Sequence, residues 1–191
     1  PNGQKHTEQY WKKDKKDGLF IEWYENGQKK QEGNLGDFNY KLGIWTYWDE
    51  EGRKYLEENY ENGEKHGSLI GWYENGEKSL EEMYKSGKKN GFVHYWYEDG
   101  TKKQSGYFLN GLKNGKMIYW YVDGNKWLEE NYKNGVKNGK MIGYYPNGRR
   151  SIEQVWSNNK LDGPFIEWYG NGQKKKEGEY KTGENVGEWV Y

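Results

Sequence analysis

Apolar and polar residues alternate along this chain in short runs, and glycine interrupts each run. Phe92–Tyr97 reads FVHYWY, whose aromatic and β-branched residues suit a pleated strand. The run ends at Glu98-Asp99-Gly100, and sister copies have Asn-Gly there, which tolerates the positive φ of a tight hairpin turn. Residues 102–108 then return as a second strand. No stretch has the apolar period of a helix, so the pattern predicts a chain of β-hairpins.

The hairpin recurs with a nearly fixed period. Successive steps of 24, 25, 24, 24, 24, 24 and 24 residues separate Gly3, Gly27, Gly52, Gly76, Gly100, Gly124, Gly148 and Gly172. The longer step reflects an insertion within residues 34–41. A second glycine series keeps the 24-residue spacing at Gly67, Gly91, Gly115, Gly139, Gly163 and Gly187. We therefore expect a single repeat array over residues 1–191, with about eight hairpin units.

Aromatic residues occupy fixed places in each copy. A tryptophan column ends the first strand at Trp23, Trp48, Trp72, Trp96, Trp120 and Trp168. A tyrosine column follows it at Tyr24, Tyr73, Tyr97, Tyr121, Tyr145 and Tyr169. Isoleucine precedes the tryptophan by two residues in most copies, so these two columns share one face and the tyrosines lie on the other. Two partly apolar faces predict an all-β fold, an elongated single-layer antiparallel sheet with the tryptophans as a structural ladder.

The turn after the tyrosine sets the register of the hairpin. If this turn has two residues, Tyr97 lies opposite Lys102 and Tyr121 lies opposite Lys126. Such a lysine forms a weak cation–π contact with the ring, or is a solubilising charge on an exposed strand. The connection at residues 110–115 contains two more glycines and is expected to be the looser turn.

The composition excludes several classes of protein. Only 32% of residues are hydrophobic while 18% are aromatic, so apolar burial is aromatic and thinly spread. The 30 basic and 30 acidic residues interleave to a net charge of zero, which argues against nucleic-acid binding. There is no cysteine for a disulfide or a thiolate metal site, and no apolar run reaches membrane-spanning length.

The residues that carry enzyme chemistry form no recognisable site. Adjacent glutamates point to opposite faces of a strand, so each pair is interpreted as solvated charge that balances the lysines. These pairs are Glu57-Glu58, Glu81-Glu82 and Glu129-Glu130. The histidines His6, His66 and His94 occupy different places in the repeat and form no metal ladder. With no phosphate-binding or nucleophile motif either, we expect no enzyme activity, no cofactor and no metal.

The sequence WYENG, followed by K-x-x-E-x-x-Y and K-N-G-K-x-x-G, resembles the bacterial class of MORN repeats (membrane occupation and recognition nexus). The resemblance covers essentially the whole chain and implies an elongated antiparallel sheet with a grooved face. It also implies a protein-interaction or membrane-associated scaffold, and many bacterial members are catalogued as toxin–antitoxin antitoxins. Aromatic cell-wall-binding repeats are a second resemblance, although the chain lacks their repeated Gly-Trp with alternating glycine and threonine.

The leading hypothesis is a non-enzymatic scaffold that binds a protein partner along an aromatic-lined trough, with the tyrosine column as the partner-binding surface. An antitoxin or immunity-type protein is a special case of it. The alternative is a carbohydrate- or cell-surface-binding module whose rings stack on sugars. A polymer ligand favours identical copies, so the departures at Asp49, Tyr144, His94 and Trp127 and the insertion within residues 34–41 favour a protein.

The first and last residues predict incomplete hairpins. Pro1-Asn2-Gly3 aligns with a turn, and residues 187–191 align with part of a first strand. Both sheet edges are then unpaired, and the C-terminal edge has few charges to block pairing with another chain. We expect either a longer protein or self-association through the C-terminal edge.

Overall fold

The computed structural model describes residues 6–12 and 15–191. Nearly all of its regular elements are strands, and a 3₁₀ turn, Asp37–Asn39, falls within the predicted insertion. The strands of the described residues are β1 Thr7–Lys12, β2 Lys15–Trp23, β3 Lys29–Leu35, β4 Lys41–Trp48, β5 Lys54–Glu61, β6 Glu64–Trp72, β7 Lys78–Lys85, β8 Lys88–Trp96, β9 Lys102–Leu109, β10 Leu112–Lys113, β11 Gly115–Trp120, β12 Lys126–Lys133, β13 Val136–Lys137, β14 Gly139–Tyr144, β15 Arg150–Ser157, β16 Lys160–Trp168, β17 Lys174–Lys181 and β18 Glu184–Val190. The predicted turn at Pro1-Asn2-Gly3 lies outside the described residues.

These strands divide into two compact units. The first comprises the described residues up to Gly91 together with Glu98–Gly100, and the second comprises Phe92–Tyr97 with Thr101–Tyr191. In the first unit, β1 to β7 pair in sequence order, each antiparallel to the next. In the second unit, β9 to β18 follow the same order, with β10–β11 and β13–β14 each continuing one strand across a single residue. Each unit is an open antiparallel sheet of tandem hairpins, which confirms the predicted fold class.

The turn after each tyrosine is a three-residue loop, so the predicted two-residue turn is wrong. Tyr121 N–H donates to Asn125 O (2.8 Å), and Gly124 N–H donates to Tyr121 O (3.0 Å). Only the glycine of this loop has a positive φ, 86°, whereas a type I′ turn needs two such residues. Asp123 Oδ1 accepts the N–H of Asn125 (2.9 Å), and this bond stabilises the three-residue loop.

The two-residue turn lies instead between the returning strand and the next copy. Asn134 (φ 50°) and Gly135 (φ 83°) both have the left-handed backbone of a type I′ turn, and Lys133 pairs with Val136 across it. The connection at residues 110–115, predicted to be the looser one, is likewise a tight turn followed directly by β10. Asn-Gly occurs in both connections, so the dipeptide alone does not distinguish them.

The longer loop changes the register of the hairpin. Lys126 pairs with Trp120, and the predicted pairing of Lys126 with Tyr121 is wrong. The pairing then skips Trp127, which forms a one-residue bulge that brings β12 back into step with β11. The extra loop residue and the bulge together keep the later cross-strand pairs aligned.

The predicted contact between Tyr97 and Lys102 fails for the same reason. Tyr97 N–H donates to Thr101 O (2.8 Å), which places Lys102 one residue beyond the tyrosine. The ammonium over the Tyr97 ring belongs to Lys103, 5.4 Å from the ring centroid. A cation–π contact at the tyrosine column therefore exists, but the residue after Lys102 makes it.

The apolar core is a column of side chains three residues before the tryptophan. Its most buried members include Trp45, Val93 and Met117. In two copies the size of the core residue matches the residue that faces it on the preceding strand. A Cβ added at Gly33 would lie 2.3 Å from the Trp45 ring, whereas Leu69 pairs with Glu58, a residue with a side chain of its own. The larger ring thus lies over glycine, and the smaller leucine lies beside glutamate.

Candidate functional site

The tyrosine column, predicted to bind a partner, is used within the sheet through its hydroxyl groups. Tyr97 OH donates to Trp120 O (2.8 Å) in the following copy, and the ring is half-buried. The same bond from one copy to the next is made by Tyr24 to Trp48 O (2.9 Å), Tyr121 to Tyr144 O (3.0 Å) and Tyr145 to Trp168 O (2.7 Å). Tyr169 is 50% exposed. In these four copies the hydroxyl is committed to the fold, so only the ring remains for other contacts.

We expect Tyr121→Phe to lower the free energy of unfolding by about 1 kcal/mol, because it removes one partly buried hydrogen bond and leaves Tyr144 O without that donor. Tyr169→Phe is the matched control, because no hydrogen bond of its hydroxyl is present in the described structure. It should change stability by less than about 0.5 kcal/mol. Urea unfolding followed by circular dichroism measures both variants, and equal costs would contradict the linking role of the hydroxyl.

Turn asparagines form a second link between copies. Asn26 Oδ1 accepts the N–H of Gln28 (3.0 Å), while its Nδ2 donates to Glu50 O (2.6 Å) in the next loop. Asn147 Nδ2 does the same to Gly170 O (3.0 Å). In one loop Asp123 replaces the asparagine and has no side-chain N–H to donate. The link to the next copy is made there by Asn125, two residues later, whose Nδ2 donates to Pro146 O (2.9 Å). The loop sequence is therefore constrained by the stacking of copies as well as by the turn itself.

The tryptophan column, predicted as the structural ladder, is half-buried in every copy. In the first unit, a lysine of the preceding copy covers each of two rings. Lys54 Nζ lies 4.1 Å from the Trp72 ring centroid, and Lys29 Nζ lies 5.7 Å from that of Trp48. These ammonium groups partly shield the tryptophan faces from solvent and link consecutive hairpins.

At least one glutamate of each adjacent pair is buried, so the interpretation of both as solvated charge is wrong. Glu58 is 7% exposed and accepts hydrogen bonds from Tyr60 OH (2.6 Å), Tyr47 OH (3.0 Å) and Lys65 Nζ (2.5 Å). Burial by itself raises the pKa of Glu58, but the bonds from Lys65, Tyr60 and Tyr47 outweigh burial and hold the pKa below its ordinary value. The carboxylate is thus charged and fully bonded inside the sheet.

The same cluster recurs in other copies. Glu82 accepts from Tyr84 OH (2.7 Å) and Lys89 Nζ (2.6 Å). Glu130 accepts from Tyr132 OH (2.9 Å) and Lys137 Nζ (2.6 Å). The repeated spacing, glutamate followed by tyrosine two residues later and lysine seven residues later, was the signal in the sequence. The tyrosine and the lysine lie on different strands, so the sequence alone does not show that both bond to one glutamate.

Adjacent glutamates bond to different lysines, as their opposite faces predict. Glu57 lies 3.2 Å from Lys54 Nζ, while Glu58 bonds to Lys65. Glu129 is buried as well, and it bonds to both Lys116 (3.0 Å) and Lys126 (2.6 Å). Each of these carboxylates is neutralised by one or two lysines, and no two of the carboxylates share a proton.

A shallow depression of about 520 Å³ lies on the second unit, and we call it the Phe92 depression. Phe92, His94, Ser105, Tyr107, Lys116 and Ile118 line it. Phe92 is 64% exposed, stacks on His94 at 6.4 Å between ring centroids and meets Tyr107 edge-on at 5.2 Å. The aromatic surface is thus presented to solvent beside two basic side chains.

This depression exists because one copy departs from the repeat. In six other copies the position of Ser105 is a glutamate, which pairs with the basic residue three positions before it. Ser105 is too short to reach Lys102, and it pairs across the strands with Ile118. His94 also replaces the usual isoleucine. The sequence alone indicates the His94 departure, whereas the loss of the glutamate becomes significant only because the glutamates of other copies form ion pairs.

The remaining predicted chemistry is dispersed. His66 Nδ1 lies 2.9 Å from the Glu61 carboxylate, and His94 lies in the Phe92 depression. Within residues 6–12 and 15–191, no three carboxylate or imidazole groups cluster as a metal site requires. Among the helices of that same part, none has the length and apolar character needed to cross a bilayer.

Two segments of the chain match a known repeat family. Residues 16–35 and 161–182 fit the family model described as MORN repeat variant. No curated protein matches the sequence. MORN repeats form scaffolds that usually bind membranes or proteins, and they are generally non-catalytic. Both matches span a first strand, its three-residue loop and the returning strand, so the family model recognises the hairpin unit of this fold.

Proposed function

We propose that this chain is a non-enzymatic repeat scaffold that binds a protein partner. The similarity of two hairpins to MORN repeats supports a binding scaffold as the class of function. The carboxylates that could perform acid–base chemistry are held by lysines and tyrosines of the sheet. An antitoxin or immunity-type protein is one form of this function, in which the scaffold would cover a toxic partner.

The observation that carries the proposal is the uneven exposure of apolar side chains. At the position four residues before the tryptophan, Ile44 is 55% exposed and Phe92 is 64% exposed. Three other copies have a polar residue at this position, Ser68, Lys116 and Lys140, and two others have Leu19 and Pro164. Exposed apolar side chains at selected copies suit an irregular protein surface, whereas a polymer of identical sugars would favour the same ring in every copy.

The tyrosine column remains part of this proposal in a narrower role. We propose that Tyr24, Tyr73, Tyr97, Tyr121, Tyr145 and Tyr169 contact the partner through their ring faces and edges. Four of the hydroxyls already bond to the neighbouring copy, so specificity from the hydroxyls is not part of the proposal. Tyr169, with half of its surface exposed, offers the largest contact area we can assign in this column.

Affinity capture from an extract of the native host tests the proposed function. The wild-type chain, Ile44→Ser, Phe92→Ser and the control Val122→Ser serve as baits, because Val122 is also 60% exposed but lies in a loop. Captured proteins are identified by mass spectrometry, purified and titrated against each bait. We expect a protein whose Kd rises about tenfold with Ile44→Ser or Phe92→Ser and stays within about twofold with Val122→Ser.

Two results would count against this function. Equal binding of one protein to all four baits would show that Ile44 and Phe92 do not contribute to the interface. Selective binding to a glycan array, with no protein captured, would favour the carbohydrate-binding alternative.

A further inference from the structure

The chain is neutral overall, but one stretch of it is basic. Residues 100–122 contain four lysines, Lys102, Lys103, Lys113 and Lys116, and no aspartate or glutamate. Other copies carry at least one glutamate on the returning strand of the hairpin. The basic stretch coincides with the copy that forms the Phe92 depression.

Lys102 lacks the carboxylate that its equivalents have. Three residues after it stands Ser105, where Lys54, Lys78 and Lys126 meet a glutamate at 3.2, 3.0 and 2.6 Å. Lys102 is exposed and makes no ion pair within the described residues. Tyr97 N–H donates to Thr101 O (2.8 Å) just as Tyr121 N–H donates to Asn125 O (2.8 Å), so a carboxylate at position 105 would lie within reach of Lys102 as Glu129 lies within reach of Lys126.

A second cation borders the same depression with incomplete neutralisation. Lys116 lies 3.0 Å from Glu129, but Glu129 also pairs with Lys126 at 2.6 Å. Two ammonium groups thus share one carboxylate, and the Lys116 side chain is about half exposed. If Lys116 bonds to an incoming carboxylate, Glu129 keeps its ion pair with Lys126.

We propose that the Phe92 depression binds an acidic segment of the protein partner. A carboxylate of that segment occupies the place of the missing glutamate, near Lys102 and Lys116, and an adjacent apolar side chain packs against Phe92 and Tyr107. The proposal rests on the proposed function and adds the chemistry of the partner. The size of the depression suits one or two side chains.

The lining favours a peptide over a polyanion. Phe92, Tyr107 and Ile118 contribute an apolar surface, and the cations are few. Nucleic-acid binding depends on neutralising many phosphates, which a chain with zero net charge and one short basic stretch does not provide. An acidic peptide needs only one or two charge contacts beside an apolar anchor.

Ser105→Glu is the decisive variant. It restores the residue that six other copies have and supplies Lys102 with an internal partner, so we expect a melting temperature no lower than that of the wild type. The new carboxylate repels an acidic ligand and occupies its site. Gln104→Glu is the matched control, because it adds the same charge one residue earlier, on the opposite face of β9.

The probe is a phage-displayed library of random dodecapeptides panned against the wild-type chain. We expect enriched peptides that combine acidic residues with an apolar residue. Their synthetic forms should bind the wild type and Gln104→Glu within about twofold, bind Ser105→Glu about tenfold more weakly, and weaken as ionic strength rises. Enriched peptides without acidic residues, no enriched peptides, or unchanged binding to Ser105→Glu would overturn the proposal.

The same variants separate this inference from the proposed function. A captured host protein that still binds Ser105→Glu at full strength overturns the acidic-segment proposal and leaves the scaffold function intact. Failure to capture any protein counts against the scaffold function itself. Equal or tighter binding of a single-stranded oligonucleotide in competition with the peptide would also overturn the choice of a peptide ligand.

Discussion

Gly33→Ala should lower the free energy of unfolding by about 3 kcal/mol, a large effect for the addition of one methyl group. The new Cβ would lie 2.3 to 2.5 Å from three atoms of the Trp45 ring. The ring has little room to move, because it is 2% exposed, its Nε1 donates to Asn34 O (3.1 Å) and Phe20 packs against it at 5.6 Å. Either the ring or the strand must shift.

Gly170→Ala is the control for this prediction. A Cβ at Gly170 meets no atom within 4 Å, and the residue does not have the positive φ of the turn glycines. The substitution should change the free energy of unfolding by less than about 0.5 kcal/mol. Urea titrations of the three proteins, with circular dichroism at a strand wavelength, measure the difference. A Gly33→Ala variant as stable as Gly170→Ala would mean that the core column is loosely packed.

A double variant tests whether the Trp45 ring is the cause. In the next copy, Leu69 pairs with Glu58, so a leucine at this place tolerates a Cβ on the facing strand. Trp45→Leu should itself be costly, because it removes a buried ring. We expect Gly33→Ala to add little to that cost, which would appear as a coupling energy of roughly 2 kcal/mol in a double-mutant cycle. If the costs of Gly33→Ala and Trp45→Leu simply add, the new Cβ clashes with atoms other than the Trp45 ring.

The repeat length and the hairpin fold were predictable from sequence, whereas the two turns were not. Glycines at a 24-residue spacing and aromatic columns determine the hairpins, since each copy carries the same signal. The type of each turn depends on hydrogen bonds of single side chains, which leave a weaker signal in the sequence than the repeat does. Asn26 bonds both to its own loop and to the next copy, and this second bond has no local sequence signature. The choice between two Asn-Gly turns therefore depends on tertiary contacts.

The core column escaped prediction because its members differ in type. Trp45, Val93 and Met117 share no chemical identity, and Trp45 and Met117 each lie over a glycine of the preceding strand. Gly106, for example, would place a Cβ 2.1 Å from Met117 Sδ. The candidate binding site was not predictable for a similar reason. A serine at position 105 is significant only because the equivalent glutamate of other copies forms an ion pair. The roles of the core column and of Ser105 therefore depend on contacts between strands, which the local sequence does not specify.

The contacts that link copies and the positions proposed to bind a partner fall on different residues. Tyr121 and Asn26 bond to the backbone of a neighbouring copy, so their hydrogen-bonding groups are committed to the fold. Ile44, Phe92 and Ser105 make no such bond in the described structure and differ from copy to copy. A repeat of this kind can vary its exposed positions while the links keep the sheet intact. That separation is why the proposed binding variants are expected to remain folded.

Glu58→Ala should lower the free energy of unfolding by about 3 kcal/mol, because it breaks a buried ion pair and removes the acceptor of two hydroxyls. Lys65, Tyr60 and Tyr47 all lose the carboxylate to which they donate. The effect is expected at the lower end for a buried pair, since the Lys65 side chain is 35% exposed and can turn towards water. Glu57→Ala is the adjacent control. Its carboxylate pairs with Lys54 on the other face in a more exposed setting, so it should cost less than about 1 kcal/mol.

The pH dependence gives an independent readout of the same carboxylate. The pKa of Glu58 is lowered in the folded chain, so the charged form stabilises the fold, and this contribution is complete above the unfolded pKa, near 4.5. It is lost as the pH falls below that value and through the lowered pKa. Glu58→Gln, which retains an acceptor oxygen but no charge, should therefore be less stable than the wild type at neutral pH and lose less stability between about pH 5 and pH 2. Thermal melts across this range compare the two, and parallel pH profiles would show that the Glu58 charge does not contribute to stability.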